Sequence, residues 1–149
     1  MADNLYGTLM KRFFVFLPFT GLLLCCSQAP DAPKETSTQA LTAGVQVYTA
    51  NCAACHQVDG SGVPNIQPAL IDDDIVAGDP NLLIRAVLNG PAKVLPPGRP
   101  TYSNAMPAFS RLTDQQIADV LTYIRHDFGE QASAIDAQQV QVIRTQSGL

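Results

Sequence analysis

The stretch 51-NCAACHQVDG-60 contains two cysteines separated by two residues, and a histidine directly follows the second cysteine. Cys52, Cys55 and His56 could bind a metal ion, form a redox-active disulfide or attach a haem covalently. Each of these sites makes a different demand on the rest of the chain, so the remaining sequence can separate them.

The sequence disfavours both zinc and a redox-active disulfide. Structural zinc takes about four ligands, and the side chains that could supply them after Cys26 are Cys52, Cys55, His56 and His126. Cys55 and His56 are neighbours whose side chains diverge, so this set makes a poor tetrahedron. A thioredoxin-like C-x-x-C follows a strand in a βαβ pattern, and the sequence shows no convincing strand pattern. The C-x-x-C-H spacing is instead the attachment signature of c-type haem.

This signature predicts one covalently attached haem c with an iron atom. The thiols of Cys52 and Cys55 would add across the two haem vinyl groups, and His56 would place an imidazole beneath the iron. A haem would also supply the large apolar centre that a small chain with long loops otherwise lacks. Because bacteria attach haem c on the far side of the cytoplasmic membrane, the signature also predicts export.

Met106 is predicted as the sixth ligand of the iron by elimination. Met1 and Met10 precede the predicted domain, which leaves Met106 as the thioether within it. Pro107 disfavours helix at Met106 and favours an extended conformation, which suits a ligand presented from a loop. His126 is the rival ligand, but it follows the apolar face of a predicted helix and is expected to face water.

Four helices and no strand are predicted, so the fold class is all-α. The first helix carries a helical stripe of apolar residues that ends in the haem motif, namely Leu41, Val45, Tyr48 and Cys52. Gly44 lies on the same face and suggests that another backbone crosses closely there. Two long loops, 57–73 and 91–112, separate the later helices, and long loops in a small domain are usually functional.

Capping residues mark the other three helices. Asp79, Pro80 and Gly90 delimit the second helix in 79-DPNLLIRAVLNG-90. Its buried face is predicted to be Leu82, Leu83, Ala86 and Val87. The third helix follows Thr113, whose spacing to Gln116 indicates a capping box. The fourth is predicted from Ala137 to about Arg144, with Asp136 as its cap and Gln139 three residues later.

The N-terminal segment has the pattern of an export signal. Lys11 and Arg12 precede an apolar run from Phe13 to Leu24, which is too short to span a bilayer as a helix. Met10 offers an alternative start of translation directly before this pattern. The run ends in 22-LLLCCSQ-28, which resembles a lipoprotein signal with Cys26 as the acylated residue. The alternative is an ordinary cleaved signal in which the cysteines are apolar filler.

Three regions are therefore predicted: a signal segment over 1–26, a flexible tether over 27–39 and a folded domain over 40–149. The tether is rich in Ser, Thr, Pro and Ala and lacks large apolar residues, so it cannot bury enough surface to fold. Charged residues make up 15% of the chain and the net charge is −4. This composition argues against nucleic acid as a partner.

With these residues in place, the chain resembles a class I cytochrome c over about residues 41 to 145. The segment GVQVYTANCAACH contains the family's Gly44, Tyr48 and haem motif, and MPAFSRLTDQQIADVLTYIR contains its methionine loop and closing helix. The chain is also similar to cytochrome subunits and domains of periplasmic dehydrogenases and of some copper nitrite reductases. The resemblance implies a small cytochrome c fold, with four or so helices and long loops wrapped around one haem.

The resemblance also implies roles for two further residues. Pro68 matches the proline whose carbonyl accepts the N–H of the proximal histidine, and Leu70 matches a leucine that packs on the haem. The chain has Gln67-Pro68-Ala69-Leu70 where the family often has two prolines before the leucine. In the family the first and last helices cross near the haem, which would explain both Gly44 and Tyr123.

The function implied is one-electron transfer without catalysis and without a small-molecule substrate. The expected partners are redox proteins, namely a dehydrogenase, a reductase or an oxidase, in the bacterial periplasm. A lipid on Cys26 would hold the protein at a membrane. Partners are expected to dock on an apolar patch of Ala53, Ala54, Val63, Pro64, Ile66, Pro96, Pro97 and Pro107. The alternative is a haem enzyme or gas sensor whose sixth iron position is open.

Overall fold

The computed structural model describes residues 37–149, and this part of the chain is built from helices. In chain order they are α1 (Thr38–Asn51), α2 (Ala53–His56), α3 (Asp74–Ala77), α4 (Pro80–Asn89), a 3-10 turn (Pro91–Lys93), α5 (Asp114–Asp127) and α6 (Ala137–Gln146). Within residues 37–149 the extended pairing is limited to an isolated bridge between Val63 and Gln67. The prediction of an all-α fold is confirmed.

The predicted signal segment, including Cys26, lies outside the described residues, as does most of the tether. The structure begins at Ser37, whose side chain accepts a hydrogen bond of 3.1 Å from the backbone N–H of Ala40. Helix α1 therefore begins at Thr38, so the last two residues of the predicted tether are helical. None of the helices described from residue 37 onward is long and apolar enough to cross a membrane.

The predicted helix caps are present. Asp79 accepts a hydrogen bond from the backbone N–H of Asn81 at 2.9 Å and precedes Pro80 at the start of α4. Gly90 follows α4 with a φ of 84°, a conformation that favours glycine. Thr113 and Gln116 form both hydrogen bonds of a capping box, at 3.2 and 2.9 Å. Local sequence signals therefore set the boundaries of these helices correctly.

Helices α1 and α5 cross at Gly44. A Cβ atom placed on Gly44 would clash with the carbonyl oxygen of Asp119 and would lie 2.6 Å from Cβ of Tyr123. The predicted close approach of another backbone is thus confirmed. Next to the crossing, the rings of Tyr48, Tyr123 and Phe128 pack with centroids 5.4 to 5.6 Å apart, mostly edge to face.

Two predicted buried faces need correction. Val45 was placed in the apolar stripe of α1, but it is 42% exposed. On α4, Leu83 and Ala86 are buried as predicted, whereas Leu82 and Val87 are only half-buried. Ile84 and Leu88 are instead fully buried. The buried face of α4 is rotated because α4 packs against α6 as well as α5.

Helix α3 was not predicted, because Asp74–Ala77 lie in the short segment between the predicted 57–73 loop and the predicted second helix, and the sequence analysis assigned no element there. Asp73 accepts hydrogen bonds from the backbone N–H groups of Ile75 and Val76, at 2.8 and 3.3 Å. Arg99 then bridges Asp73 and Asp74 at 3.0 and 2.9 Å. Asp73 therefore caps a short helix, and Arg99 ties this helix to the 91–112 loop.

Candidate functional site

The haem motif lies where α1 passes into the short helix α2. The backbone N–H of Cys52 bonds to the carbonyl of Tyr48 at 2.8 Å, which closes α1. The N–H groups of Cys55 and His56 both bond to the carbonyl of Cys52, at 3.1 and 2.9 Å. Both cysteines are half-buried free thiols. Burial, with a smaller contribution from the neighbouring Cys55, raises the pKa of the Cys52 thiol to about 11.

His56 is buried, with 8% of its surface exposed, and it has one polar partner. Its Nδ1 lies 3.0 Å from the carbonyl oxygen of Pro68. Burial lowers the pKa of His56, and the bond to Pro68 opposes that shift in part. A neutral imidazole that donates from Nδ1 leaves the Nε2 lone pair available to a metal. The contact with Pro68 is the one that the family resemblance implies.

Gly62 brings the Pro68 carbonyl to His56. The N–H of Gly62 bonds to the carbonyl of His56 at 2.9 Å, and Gly62 has a φ of 62°. A Cβ atom on Gly62 would clash with the Pro68 carbonyl oxygen and would lie 2.7 Å from the backbone nitrogen of Ala69. Sequence reasoning missed Gly62, although a glycine between the motif and the proline was the available signal.

Tyr48 secures the other side of the motif. Its hydroxyl donates a 2.6 Å hydrogen bond to the carbonyl of Gln57, the residue after His56. Gln57 has a φ of 64°, which is unusual for a residue other than glycine. Burial raises the pKa of Tyr48, so the hydroxyl keeps its proton and remains a donor. The turn after His56 is therefore held by a buried side chain of α1.

The loop that carries Met106 is anchored on both sides. The N–H groups of Ser103 and Asn104 bond to the carbonyls of Asn65 and Ile66, at 3.1 and 3.2 Å. After the methionine, the N–H of Phe109 bonds to the carbonyl of Val87 at 2.9 Å. Met106 itself is half-buried and packs against the hydrophobic core, as Cys52 and Leu70 do. Backbone hydrogen bonds thus join the methionine loop to the loop that contains Pro68.

His126 lies apart from these residues in the last turn of α5. Its side chain is 38% exposed, and its Nδ1 lies 2.7 Å from a carboxylate oxygen of Asp127. The side chain therefore lies at the surface, in agreement with the expectation from the sequence.

The donor set suits a haem attached through thioethers. Two neighbouring free thiols, a buried imidazole with one nitrogen free and a half-buried thioether are the groups that haem c requires. The same four groups are less suitable for a metal ion that is coordinated only by protein side chains. Among residues 37–149 there is no group of three or more His, Cys, Asp or Glu side chains that could hold such an ion.

Comparison with known proteins identifies the family. The family profile described as cytochrome c matches residues 41–127. The chain belongs to the cytochrome c family. Its cofactor is accordingly haem c, and the described residues form a haem c electron-transfer domain. The expectation of a class I c-type cytochrome is confirmed.

The relatives are of two kinds. The chain is 39% identical over 107 residues to the cytochrome c subunit of a quinone alcohol dehydrogenase from Gluconobacter oxydans, a match that covers 69% of this chain and 22% of that subunit. It is 42% identical over 105 residues to the gluconate 2-dehydrogenase cytochrome c subunit of Pantoea cypripedii, covering 68% of this chain and 24% of that subunit. The chain thus spans less than a quarter of the length of these dehydrogenase subunits.

The second kind is a small cytochrome. The chain is 38% identical over 87 residues to cytochrome c6 of Cyanidioschyzon merolae, and the match covers 56% of this chain and 71% of that protein. The same sequence is therefore similar both to a small single cytochrome and to a fraction of larger dehydrogenase subunits.

Proposed function

We propose that the protein is a one-electron carrier that serves a redox enzyme and performs no catalysis itself. When bound, the haem supplies the chemistry, because its iron alternates between the ferrous and ferric states. The observation that carries the proposal is the arrangement around His56, which is buried, is oriented by Pro68 and directly follows two free thiols. This arrangement provides two thiols for covalent attachment and an imidazole nitrogen for the iron.

In this proposal Cys52 and Cys55 would hold the haem through thioethers, and His56 and Met106 would bind its iron. Pro68 fixes the ring of His56 through the 3.0 Å contact, and Leu70 packs on the haem face. The anchored loop around Met106 supports its role, since a ligand held on both sides needs little reorganisation when the iron changes charge. A thioether ligand and a buried iron both favour the reduced state.

Electrons would pass through the apolar patch predicted from the sequence. Most of its residues are exposed, including Ala54, Pro64, Ile66 and Pro107. The same patch spans the haem motif, the 57–73 loop and both ends of the 91–112 loop. A small apolar surface of this kind suits brief encounters with a redox partner.

The partner proposed is a dehydrogenase in the periplasm, with a reductase or an oxidase as acceptor. The likeness to dehydrogenase cytochrome subunits supports this assignment. Export is supported by the need for haem attachment outside the cytoplasm and by the signal pattern before residue 26. Attachment to a membrane through a lipid on Cys26, followed by a tether, is the part of the proposal that rests on sequence alone.

The covalent link can be tested with acidified denaturing solvent. Thioether bonds survive conditions that break coordination bonds, so the haem should stay with the polypeptide when the holoprotein is extracted. Absorbance of the extracted and protein fractions measures this directly. The variants Cys52→Ala and Cys55→Ala should each retain one thioether or lose haem during assembly. Extraction of free haem from the unaltered protein would contradict the proposed attachment.

The sixth ligand can be tested with Met106→Ala. Removing the thioether should leave a folded protein with a lower reduction potential and without the methionine–iron absorption of the oxidised state. The reduced variant should bind carbon monoxide, whereas the reduced wild type should not. His126→Ala is the matched control and should leave all three properties unchanged.

The carbon monoxide measurement also separates the proposed carrier from a haem enzyme or gas sensor. These classes need an open sixth position, so the unaltered reduced protein would bind carbon monoxide rapidly and stoichiometrically at neutral pH. That result would exclude the carrier even though the fold is a cytochrome c fold.

A further inference from the structure

An open polar cavity lies at the surface beside the C-terminal ends of helices α4 and α6. Asn81 of α4 accepts a hydrogen bond from Gln139 of α6 at 3.0 Å, and Asn89 donates to Ser147 at 3.4 Å. Both pairs advance by eight residues in the same direction, so the two helices run parallel. Beyond the second pair lies a cavity of about 450 Å³, lined by Arg85, Asn89, Lys93, Val94, Gln146 and Ser147.

The charge on this cavity is positive. Arg85 and Lys93 contribute two cations, and no carboxylate belongs to the lining. The ends of α4 and α6 each present about half a negative charge through their last carbonyls. Two such ends offset about one of the two positive charges, so a positive charge remains.

Arg85 and Lys93 are also exceptional among the basic residues that the structure describes. Arg99 pairs with Asp73 and Asp74, and Arg144 pairs with Asp114 at 2.7 Å. The other two basic residues in this part of the chain also have partners, since Arg111 contacts Asn51 and the ring of Phe109, and Arg125 donates to backbone carbonyls.

By contrast, Arg85 and Lys93 form no ion pair with any residue from 37 to 149. The Nη1 atom of Arg85 is buried and has no hydrogen-bond partner there. A buried cationic donor without a partner is unfavourable, because it has lost water and gained nothing in exchange. The two unpaired basic side chains of the described part therefore line the same cavity.

We propose that this cavity binds an oxyanion, that is, a carboxylate or phosphate group. Such a group would neutralise the remaining positive charge, and the amide and hydroxyl groups of Asn89, Gln146 and Ser147 could donate further hydrogen bonds to it. The anion could belong to a free small molecule or to an acidic side chain of a redox partner. In either case the site recognises the same chemistry.

The site is separate from the proposed haem residues. None of Cys52, Cys55, His56, Pro68 and Met106 lines the cavity. On α4, Arg85 lies two residues from Val87, whose carbonyl accepts the bond from the methionine loop. Val87 does not line the cavity. The proposal goes beyond electron transfer and does not depend on it.

Anion binding can be measured by nuclear magnetic resonance on the reduced, ¹⁵N-labelled holoprotein. Inorganic phosphate, citrate and tetraglutamate are titrated separately at constant ionic strength, with chloride as the balancing anion. We expect saturable shifts of the amide signals of Lys93, Val94 and Ser147 with at least one probe. Binding by phosphate or citrate without tetraglutamate would indicate a free small anion. Tighter binding by tetraglutamate would indicate an acidic side chain of a partner.

Three variants complete the test. Arg85→Gln and Lys93→Gln should each weaken binding about tenfold, as the loss of a charged hydrogen-bond donor predicts. Arg111→Gln removes a cation that already has partners elsewhere and should leave binding unchanged. Because Lys93 is exposed, its variant tests the site even if Arg85→Gln does not fold.

Three results would overturn the inference. The first is the absence of saturable shifts at the cavity with all three probes, and the second is equal weakening by Arg111→Gln. The third is unchanged anion binding in both Arg85→Gln and Lys93→Gln. If the reduction potential of Arg85→Gln were then altered, Arg85 would act on the haem rather than on an external anion.

Discussion

Gly62 controls the contact between His56 and Pro68 although it touches no iron. Its missing side chain leaves room for the Pro68 carbonyl, which then accepts from Nδ1 of His56 at 3.0 Å. With His56 as the proposed iron ligand, a hydrogen bond from Nδ1 would make the ring a stronger donor and so stabilise the ferric iron. Gly62 is therefore expected to influence the reduction potential through the position of a backbone carbonyl.

Gly62→Ala should raise the reduction potential, because a displaced carbonyl weakens the hydrogen bond from His56. A loss of about 1 kcal/mol in the preference of that bond for the ferric over the ferrous state corresponds to roughly 40 mV for one electron. The variant should also lose about 1–2 kcal/mol of stability from its left-handed backbone. Voltammetry measures the potential, and denaturant unfolding measures the stability.

Gly98→Ala is the matched control for Gly62→Ala. Gly98 also has a positive φ, of 92°, but a Cβ placed there meets no atom within 4 Å. It should therefore show the stability loss without the change in potential. An equal change of potential in both variants would mean that the Pro68 contact does not set the potential.

The roles of some residues could be predicted from the sequence, whereas those of others could not. Haem c as the cofactor could be predicted from the spacing of Cys52, Cys55 and His56, because a covalent motif is local in sequence. Arg125 directly precedes His126, which was expected to face water, yet Arg125 is 2% exposed and donates to the carbonyls of Val76, Gly78 and Ser133. These acceptors come from two other segments, so no pattern within α5 could have indicated them.

At the scale of elements, capping signals were more reliable than buried faces. Caps at Asp79, Thr113 and Asp136 depend on residues within one turn, and all three are present. The face of α4 depends on which helices surround it, and its contact with α6 rotates the buried stripe toward Ile84 and Leu88. The spacing of apolar residues along α4 cannot by itself indicate the side on which a second helix, here α6, packs.

The crossing of α1 and α5 provides a test at this scale. Alanine favours helix over glycine by about 1 kcal/mol, so Gly44→Ala would stabilise an isolated α1. In the folded protein the added methyl group would clash with Asp119 and Tyr123. Overpacking of this kind costs about 1–3 kcal/mol of stability. Because the clash at Gly44 is with a backbone carbonyl, which cannot move aside as a side chain can, the cost should lie near the upper end of that range. We expect a net loss of about 2 kcal/mol.

Denaturant unfolding of the holoprotein measures this loss. Gln46→Ala changes an exposed position of the same helix and should alter stability by about 0.5 kcal/mol or less. If Gly44→Ala were as stable as the wild type, the two helices would not cross as closely as the structure shows.

At the scale of the whole molecule, the domain has relatives of two kinds, cytochrome c6 and proteins named as cytochrome c subunits of dehydrogenases. This chain matches 71% of the cytochrome c6 and less than a quarter of the length of the dehydrogenase subunits. The lipid-anchored tether that we propose would confine the domain near a membrane-bound partner.

The anchor can be tested by replacing the cysteine that would carry the lipid. Cys26→Ser should move the holoprotein from the membrane fraction to the soluble fraction, since the variant cannot be acylated and the apolar run before it is too short to span a bilayer. Fractionation followed by haem absorbance measures the distribution. Cys25→Ser is the matched control, because it changes the adjacent residue and should leave the protein in membranes. If Cys26→Ser stayed in membranes and washing with high salt then released it, a membrane partner rather than a lipid would hold the protein there.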